Sequence, residues 1–253
     1  MAVLVSQPAG ILADLDGTLA PIVGDPGAVR VPDATRDSLV ALARRLAVVG
    51  IVSGRAALDV RRILEGAELL VIGNHGAEWL QPLGERPRVP EALRGATERL
   101  AALLRVVPAE AGVSVEHKGL SATVHYRNAP NPADAHQRIL AALGPAAGDD
   151  VELRDGRMSV ELRPRGLGDK GGALREVVDR NRLRGLLVLG DDTTDLDMFR
   201  AATELRRAGT LDALVIAVGG GGGEVPPEVA AAADAVLPDP AAVGTLLRDL
   251  ARE

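Results

Sequence analysis

The feature that most constrains this chain is a set of short, unbroken apolar stretches, each ending abruptly in polar or glycine residues. Residues 10–13 lead into Asp14, 47–52 into Ser53 and 69–72 into Gly73; 186–189 lead into Gly190 and Asp191, and 214–218 into a glycine run. A strand buried on both faces has no wet side, so its sequence is continuously apolar rather than alternating. Between these stretches lie amphipathic helical patterns at about 33–46, 56–64, 171–181, 195–207 and 240–251. Strands and helices in alternation predict an α/β fold with a doubly wound parallel-sheet, Rossmann-like core.

Residues 83–164 break that rhythm. A helical pattern at 91–107 precedes two alternating segments, 112–116 and 120–126. A second helix at 132–143 precedes two more, 150–154 and 158–162. This order predicts an antiparallel sheet with helices on one face, an α+β cap domain (83–164) inserted into a core made of 1–82 and 165–253. Pro82, Pro87 and Pro90 mark its entry, and Pro164, Gly166 and Gly168 its exit.

Composition narrows the function classes. A net charge of -6 leaves no broad basic surface, which argues against nucleic acid and anionic membranes as partners. There is no cysteine, so disulfides, zinc–thiolate sites and thiol catalysis are excluded. No signal-peptide pattern opens the chain and no apolar stretch is long enough to span a bilayer; a cytoplasmic location is the expectation. The aromatics are only Trp79, Tyr126 and Phe199, so the core must be aliphatic, and each aromatic falls beside a motif it could anchor. The oligomeric state is left open, a monomer being compatible with everything above.

Asp14-Leu15-Asp16-Gly17-Thr18 follows the first strand. Two carboxylates two residues apart can converge as the chain turns out of the sheet, and ligands of open α/β sheets bind at this edge. Acidic residues are also common in turns, so the tripeptide alone decides little. Its neighbours decide more: Ser53, Asp191, Asp192 and Asp195 follow other strands, and Lys170 heads the helix before one of them. A hydroxyl, an ammonium and several carboxylates about one centre suit oxygen-rich chemistry with a phosphoryl group and a hard cation such as Mg2+. The run 219–223 lacks the Lys-Ser/Thr of a phosphate-cradling loop and reads as a connection.

In this order the residues resemble the haloacid-dehalogenase-like phosphatases. The resemblance implies that Asp14 is the nucleophile and Asp16 the acid/base. It implies that Ser53 and Lys170 hold phosphoryl oxygens, and that Mg2+ is bound by Asp14, the Asp16 carbonyl and Asp191, with Asp192 and Asp195 supporting. Over nearly the whole chain the sequence is similar, more narrowly, to trehalose-6-phosphate phosphatases: 14–23 (DLDGTLAPIV), 53–55 (SGR), 74–78 (NHGAE), 115–118 (VEHK), 125–127 (HYR) and 160–164 (VELRP) carry it. That implies a sugar phosphate between core and cap, with Arg55, Asn74, His75 and Gly76 on the core side and Glu116, Lys118, Arg127 and Glu161 on the cap. Hydrolysis of trehalose 6-phosphate is the expectation. The same chemistry on another sugar phosphate, or on a trehalose-like pseudo-disaccharide phosphate, is the alternative, because Leu196 and Met198 depart from the subfamily pattern. A phosphomutase and a non-catalytic sensor rank behind both.

Overall fold

The computed structural model describes residues 2–117, 119–156, 158–219 and 225–252. Eleven strands form two sheets among these residues. The larger sheet contains β1 (Ala9–Ala13), β2 (Val48–Val52), β3 (Leu70–Gly73), β4 (Glu78–Leu80), β9 (Gly185–Gly190), β10 (Asp212–Val218) and β11 (Ala235–Leu237). Their order across the sheet is β11-β10-β9-β1-β2-β3-β4. Every pair is parallel except β3 with β4.

The apolar stretches are continuous because both faces are covered. On one face, α1 (Asp33–Ala43), α2 (Ala57–Ile63) and α8 (Pro240–Arg252) pack against Ile11, Ala13, Ile51, Val71 and Leu187. On the other, α5 (Lys170–Asn181), α6 (Leu196–Arg207) and α7 (Pro227–Ala232) cover Leu12, Val52, Ile72, Val188 and Val215. Successive strand residues thus alternate between two dry cores. The chain steps from β1 to β2 and β3 in one direction, and from β9 to β10 and β11 in the other. The place where those directions part, at β1 and β9, is where an open α/β sheet leaves a crevice.

The second sheet lies in the chain between β4 and α5. It comprises β5 (Ser114–His117), β6 (Ala122–His125), β7 (Val151–Gly156) and β8 (Ser159–Pro164), antiparallel throughout and ordered β5-β6-β8-β7. The helices α3 (Ala96–Leu104) and α4 (Pro132–Ala147) cover one face, burying Leu100, Ile139 and Leu143 against Val124, Val160 and Leu162. Its other face, with Thr123 and Glu161 side by side, is polar. A small apolar cluster of Ala77, Leu93, Ala96, Leu120 and Leu167 joins this cap to the core.

Three details differ from the sequence expectation. The edge strands β4 and β11 were not anticipated: each is three residues long and too short to register as a strand pattern. The expected helix at 91–107 is interrupted, because Gly95 adopts a left-handed conformation (φ 75) and α3 begins only after it. The glycine run falls at 220–223, outside the described residues apart from Gly219.

Phe199 is fully buried in α6 among aliphatic neighbours. Phe199→Ala should therefore lower stability by about 3–5 kcal/mol through lost burial and a residual cavity. A urea titration checks this; a midpoint close to wild type would show that α6 collapses into the gap.

Candidate active site

Asp14 is the first residue beyond β1, and its amide donates to the Leu189 carbonyl at 2.9 Å. The pairing of β1 with β9 sets Ala13 beside Leu189, so Asp191 leaves the sheet next to Asp14. What lets them meet is Gly17, at φ +82: a Cβ there would lie 2.0 Å from the Asp191 carboxylate. The Thr18 hydroxyl donates to Asp191 Oδ1 at 3.1 Å and fixes its rotamer.

Lys170 opens α5, whose first turn is capped by Asp169 accepting from the Gly172 amide at 2.7 Å. The Lys170 side chain is 3% exposed. Its ammonium donates to Asp14 Oδ1 and to Asp195 Oδ1, both at 2.7 Å. Asp195 is completely buried, and its second oxygen accepts the Asp191 amide at 2.9 Å and the Asp192 amide at 3.2 Å. The turn that carries Asp191 is thereby tied to the residue that holds the lysine. Asp192 caps the same short turn through the Thr193 amide, at 2.6 Å.

The electrostatics follow from burying several carboxylates with one ammonium. Burial alone would lower Lys170, but the Asp14 and Asp195 carboxylates outweigh it and hold the ammonium charged well beyond its ordinary range. Burial pushes the Asp14 carboxyl well up; Asp195 and Asp191 add to the effect and Lys170 opposes it. Asp191 is pushed up to about 7 by burial and by Asp195, against the pull of Thr18.

Oxygens of Asp14, Asp191 and Asp195 lie within 4.8 Å of one another. Asp195 spends both oxygens on Lys170 and two amides, whereas Asp14 and Asp191 each commit only Oδ1 to a side-chain donor. All-oxygen donors and uncompensated negative charge fit a hard divalent cation held by Asp14 and Asp191.

These groups open into a cleft of about 900 Å³ that also presents Asp16, Ser53, Arg55, His75, Asp192 and Glu116. Ser53 lies just beyond β2, 1% exposed, with its Oγ accepting the Arg55 amide at 3.2 Å. The Arg55 guanidinium donates to both Asp16 oxygens, from Nε at 2.7 Å and from Nη2 at 2.8 Å. His75 sits in a left-handed conformation (φ 56), and its ring lies where a Cβ on Gly54 would be, 2.7 Å away.

Other residues singled out in the sequence stand elsewhere. Asn74 is fully buried, donating its amide to the Arg55 carbonyl at 2.8 Å. Gly76 packs against the Asp169 carbonyl, where a Cβ would come within 2.6 Å. Glu161 lies on β8 facing Arg163 at 3.6 Å, and Arg127 is exposed beyond the end of β6. None of these four lines the cleft, and Lys118 lies outside the described residues. Conversely, Ile22, Asp59, His117, Thr194 and Pro226 do line it. Ile22 and His117 sat inside recognised motifs, at 14–23 and 115–118. Asp59 carried no signal beyond its place one turn after Arg55. Glu78, the last residue of the 74–78 motif, accepts the Ala57 amide at 2.7 Å and so anchors the start of α2.

The trehalose-phosphatase family model matches residues 12–224. A trehalose-phosphate phosphatase of Mycobacterium avium is 36% identical over 213 residues, covering 78% of this chain and 52% of the relative. A probable trehalose-phosphate phosphatase of Sinorhizobium fredii is 34% identical over 200 residues, 77% of this chain and 74% of the relative. The chain thus spans about half the length of the mycobacterial phosphatase it matches. In fold it is similar to the C-terminal domain of C. albicans trehalose-6-phosphate phosphatase, with a TM-score of 0.73, 24% identity and coverage of 99% of this chain and 94% of that one.

A half-protonated Asp191 at neutral pH must lose its proton to bind a cation. Titration calorimetry with Mg2+ in buffers of different ionisation enthalpy should show proton release near pH 7 that shrinks as pH rises and Asp191 is already ionised. Asp191→Asn should abolish both binding and release; unchanged binding in that variant would remove Asp191 from the cation site.

Proposed function

The chain belongs to the trehalose-phosphatase family, and from that premise we propose that it hydrolyses trehalose 6-phosphate to trehalose and phosphate through a phosphorylated Asp14. The observation that carries this reading is the buried Lys170 joined to Asp14 at the crevice of the sheet, with Asp191 beside them and a cap carboxylate, Glu116, across the cleft.

A carboxylate oxygen of Asp14 attacks phosphorus while the bond to the sugar oxygen breaks. Asp16 gives that oxygen a proton and later takes one from the water that hydrolyses the phosphorylated Asp14. Lys170 and Ser53 hold the phosphoryl oxygens. Lys170 can do so at any ordinary pH because its two carboxylate partners keep it charged. The Asp14 and Asp191 carboxylates and the Asp16 carbonyl would hold Mg2+, which would supply positive charge to offset that of the nucleophile and the phosphate.

The glycosyl portion lies between Arg55 and His75 on the core and Glu116 on the cap; Arg127 and Glu161, which stand outside the cleft, reach it as the cap closes, and Lys118 lies outside the described residues. Asn74 and Gly76, packed beneath the cleft floor, shape the loop that presents His75. Closing the cap brings its polar face to the sugar and removes bulk water from the reacting centre. No helix among the described residues is long and apolar enough to cross a membrane. We assign the enzyme to the cytoplasm, with which a chain free of cysteine is compatible.

Phosphate release from trehalose 6-phosphate beside a panel of other sugar phosphates, with and without Mg2+, tests this directly. Rapid, Mg2+-dependent release from trehalose 6-phosphate is expected; preference for sucrose or hexose phosphates would move the substrate elsewhere. Asp14→Asn should cut turnover by about a thousandfold or more, and full activity in it would refute the nucleophile. Glu161→Ala should impair the sugar phosphate far more than nitrophenyl phosphate; equal losses would place Glu161 outside sugar recognition.

A further inference from the structure

Asp16, the expected acid/base, is held by a guanidinium. Both of its oxygens accept hydrogen bonds from the Arg55 guanidinium, at 2.7 and 2.8 Å, in the paired geometry that makes such contacts strong. A carboxyl clasped in this way has a lone pair of each oxygen tied to Arg55, which restrains it from turning to a leaving group. The clasp is anchored on the core, since the Arg55 amide donates to Ser53 Oγ and the Arg55 carbonyl accepts from Asn74. The guanidinium itself is at the end of a flexible stem, 23% exposed in the cleft.

A second carboxylate competes for it. Glu116, on β5 of the cap, lines the same cleft and attracts Arg55 electrostatically. Glu116 is itself steadied by His125 Nε2, 3.0 Å from its Oε2. Arg55 therefore stands between a core carboxylate that it disarms and a cap carboxylate that could take it away.

We propose that Arg55 is a positioning residue that holds Asp16 out of use in the open cleft and passes to Glu116 when a glycosyl phosphate draws the cap down. The inference rests on Asp14 as nucleophile and Asp16 as acid/base, and adds the device that couples them to the cap. Once released, Asp16 takes up a proton from solvent and turns to the bridging oxygen. The phosphorus–oxygen bond breaks, its electron pair stays on the sugar oxygen, and the Asp16 proton goes to that oxygen. In the second half-reaction the attacking water gives its proton to Asp16 as its oxygen bonds phosphorus and the Asp14–phosphorus bond breaks. Small esters that cannot reach the cap leave the clasp in place. Substrate selection thus acts on the chemical step as well as on binding, a form of induced fit.

The test is steady-state kinetics of wild type, Arg55→Ala, Glu116→Gln and the double variant. On nitrophenyl phosphate, Arg55→Ala should raise kcat about three- to tenfold, because the base for hydrolysing phosphorylated Asp14 is then unclasped. On trehalose 6-phosphate, Glu116→Gln should lower kcat about tenfold, and adding Arg55→Ala should restore most of that loss while raising KM. Two residues that merely bind sugar would give no gain on the small ester and no rescue. A fall in nitrophenyl phosphate turnover in Arg55→Ala, or a double variant no better than Glu116→Gln, overturns the proposal. If Arg55→Ala does not fold, Arg55→Lys, which keeps the charge and loses the fork, must shift both substrates in the same directions. Wild-type and Asp14→Asn controls separate the two readings: wild-type inactivity on trehalose 6-phosphate, or activity in Asp14→Asn, sinks the functional assignment and this inference with it. A sound control with no rescue sinks only the inference.

Discussion

Lys170 is the charge on which the rest of the site depends. Burying Asp14 beside Asp191 and Asp195 would be prohibitive without a cation among them, and the ammonium bonded at 2.7 Å to both Asp14 and Asp195 is the one the fold itself supplies. One positive charge does not balance three carboxylates. The surplus appears in Asp14 and Asp191, both driven upward by burial and by their neighbours. That surplus is what a bound cation would offset, at the place where a phosphoryl group would add still more negative charge. Asp195 contributes as an organiser: it holds the lysine with one oxygen and the Asp191 turn with the other.

The sheet topology makes this cluster possible at low cost in strain. Three strand ends, those of β1, β2 and β9, deliver Asp14, Ser53 and Asp191 to one edge, and a helix start delivers Lys170. Close approach within the cluster is permitted by glycine at two points. Gly17 makes room for the Asp191 carboxylate, and Gly190 for Asp195, whose carboxyl lies 2.6 Å from where a Cβ would be. Among the described residues, the buried cluster of Asp14, Lys170, Asp191 and Asp195 comes from the core alone. The cap's contribution is a polar sheet face, seated on an apolar joint, that can meet the part of a substrate lying outside the core.

Much of this was legible in sequence order because it depends on local chemistry. A doubly buried strand must be apolar throughout, so β1, β2, β3, β9 and β10 announced themselves, and the polar residues following β1, β2 and β9 were site candidates. Short edge strands such as β4 and β11 were invisible because three residues hold no periodicity. The break at Gly95 was missed for a related reason: one glycine in an otherwise helical pattern does not declare whether it adopts a left-handed conformation.

What the sequence determined by itself was the inventory and its edge: which residues stand at strand ends, that two carboxylates and a lysine would converge, and that a mixed insertion would cover them. Only the tertiary structure decided how each group is employed. Asn74 is a buried support, Ile22 and His117 face the cleft, and Arg55 grips Asp16. Those assignments depend on side-chain distances between segments dozens of residues apart. Strand periodicity constrains which face a residue takes, whereas its partners across the cleft are set by how sheet, helix and cap pack together.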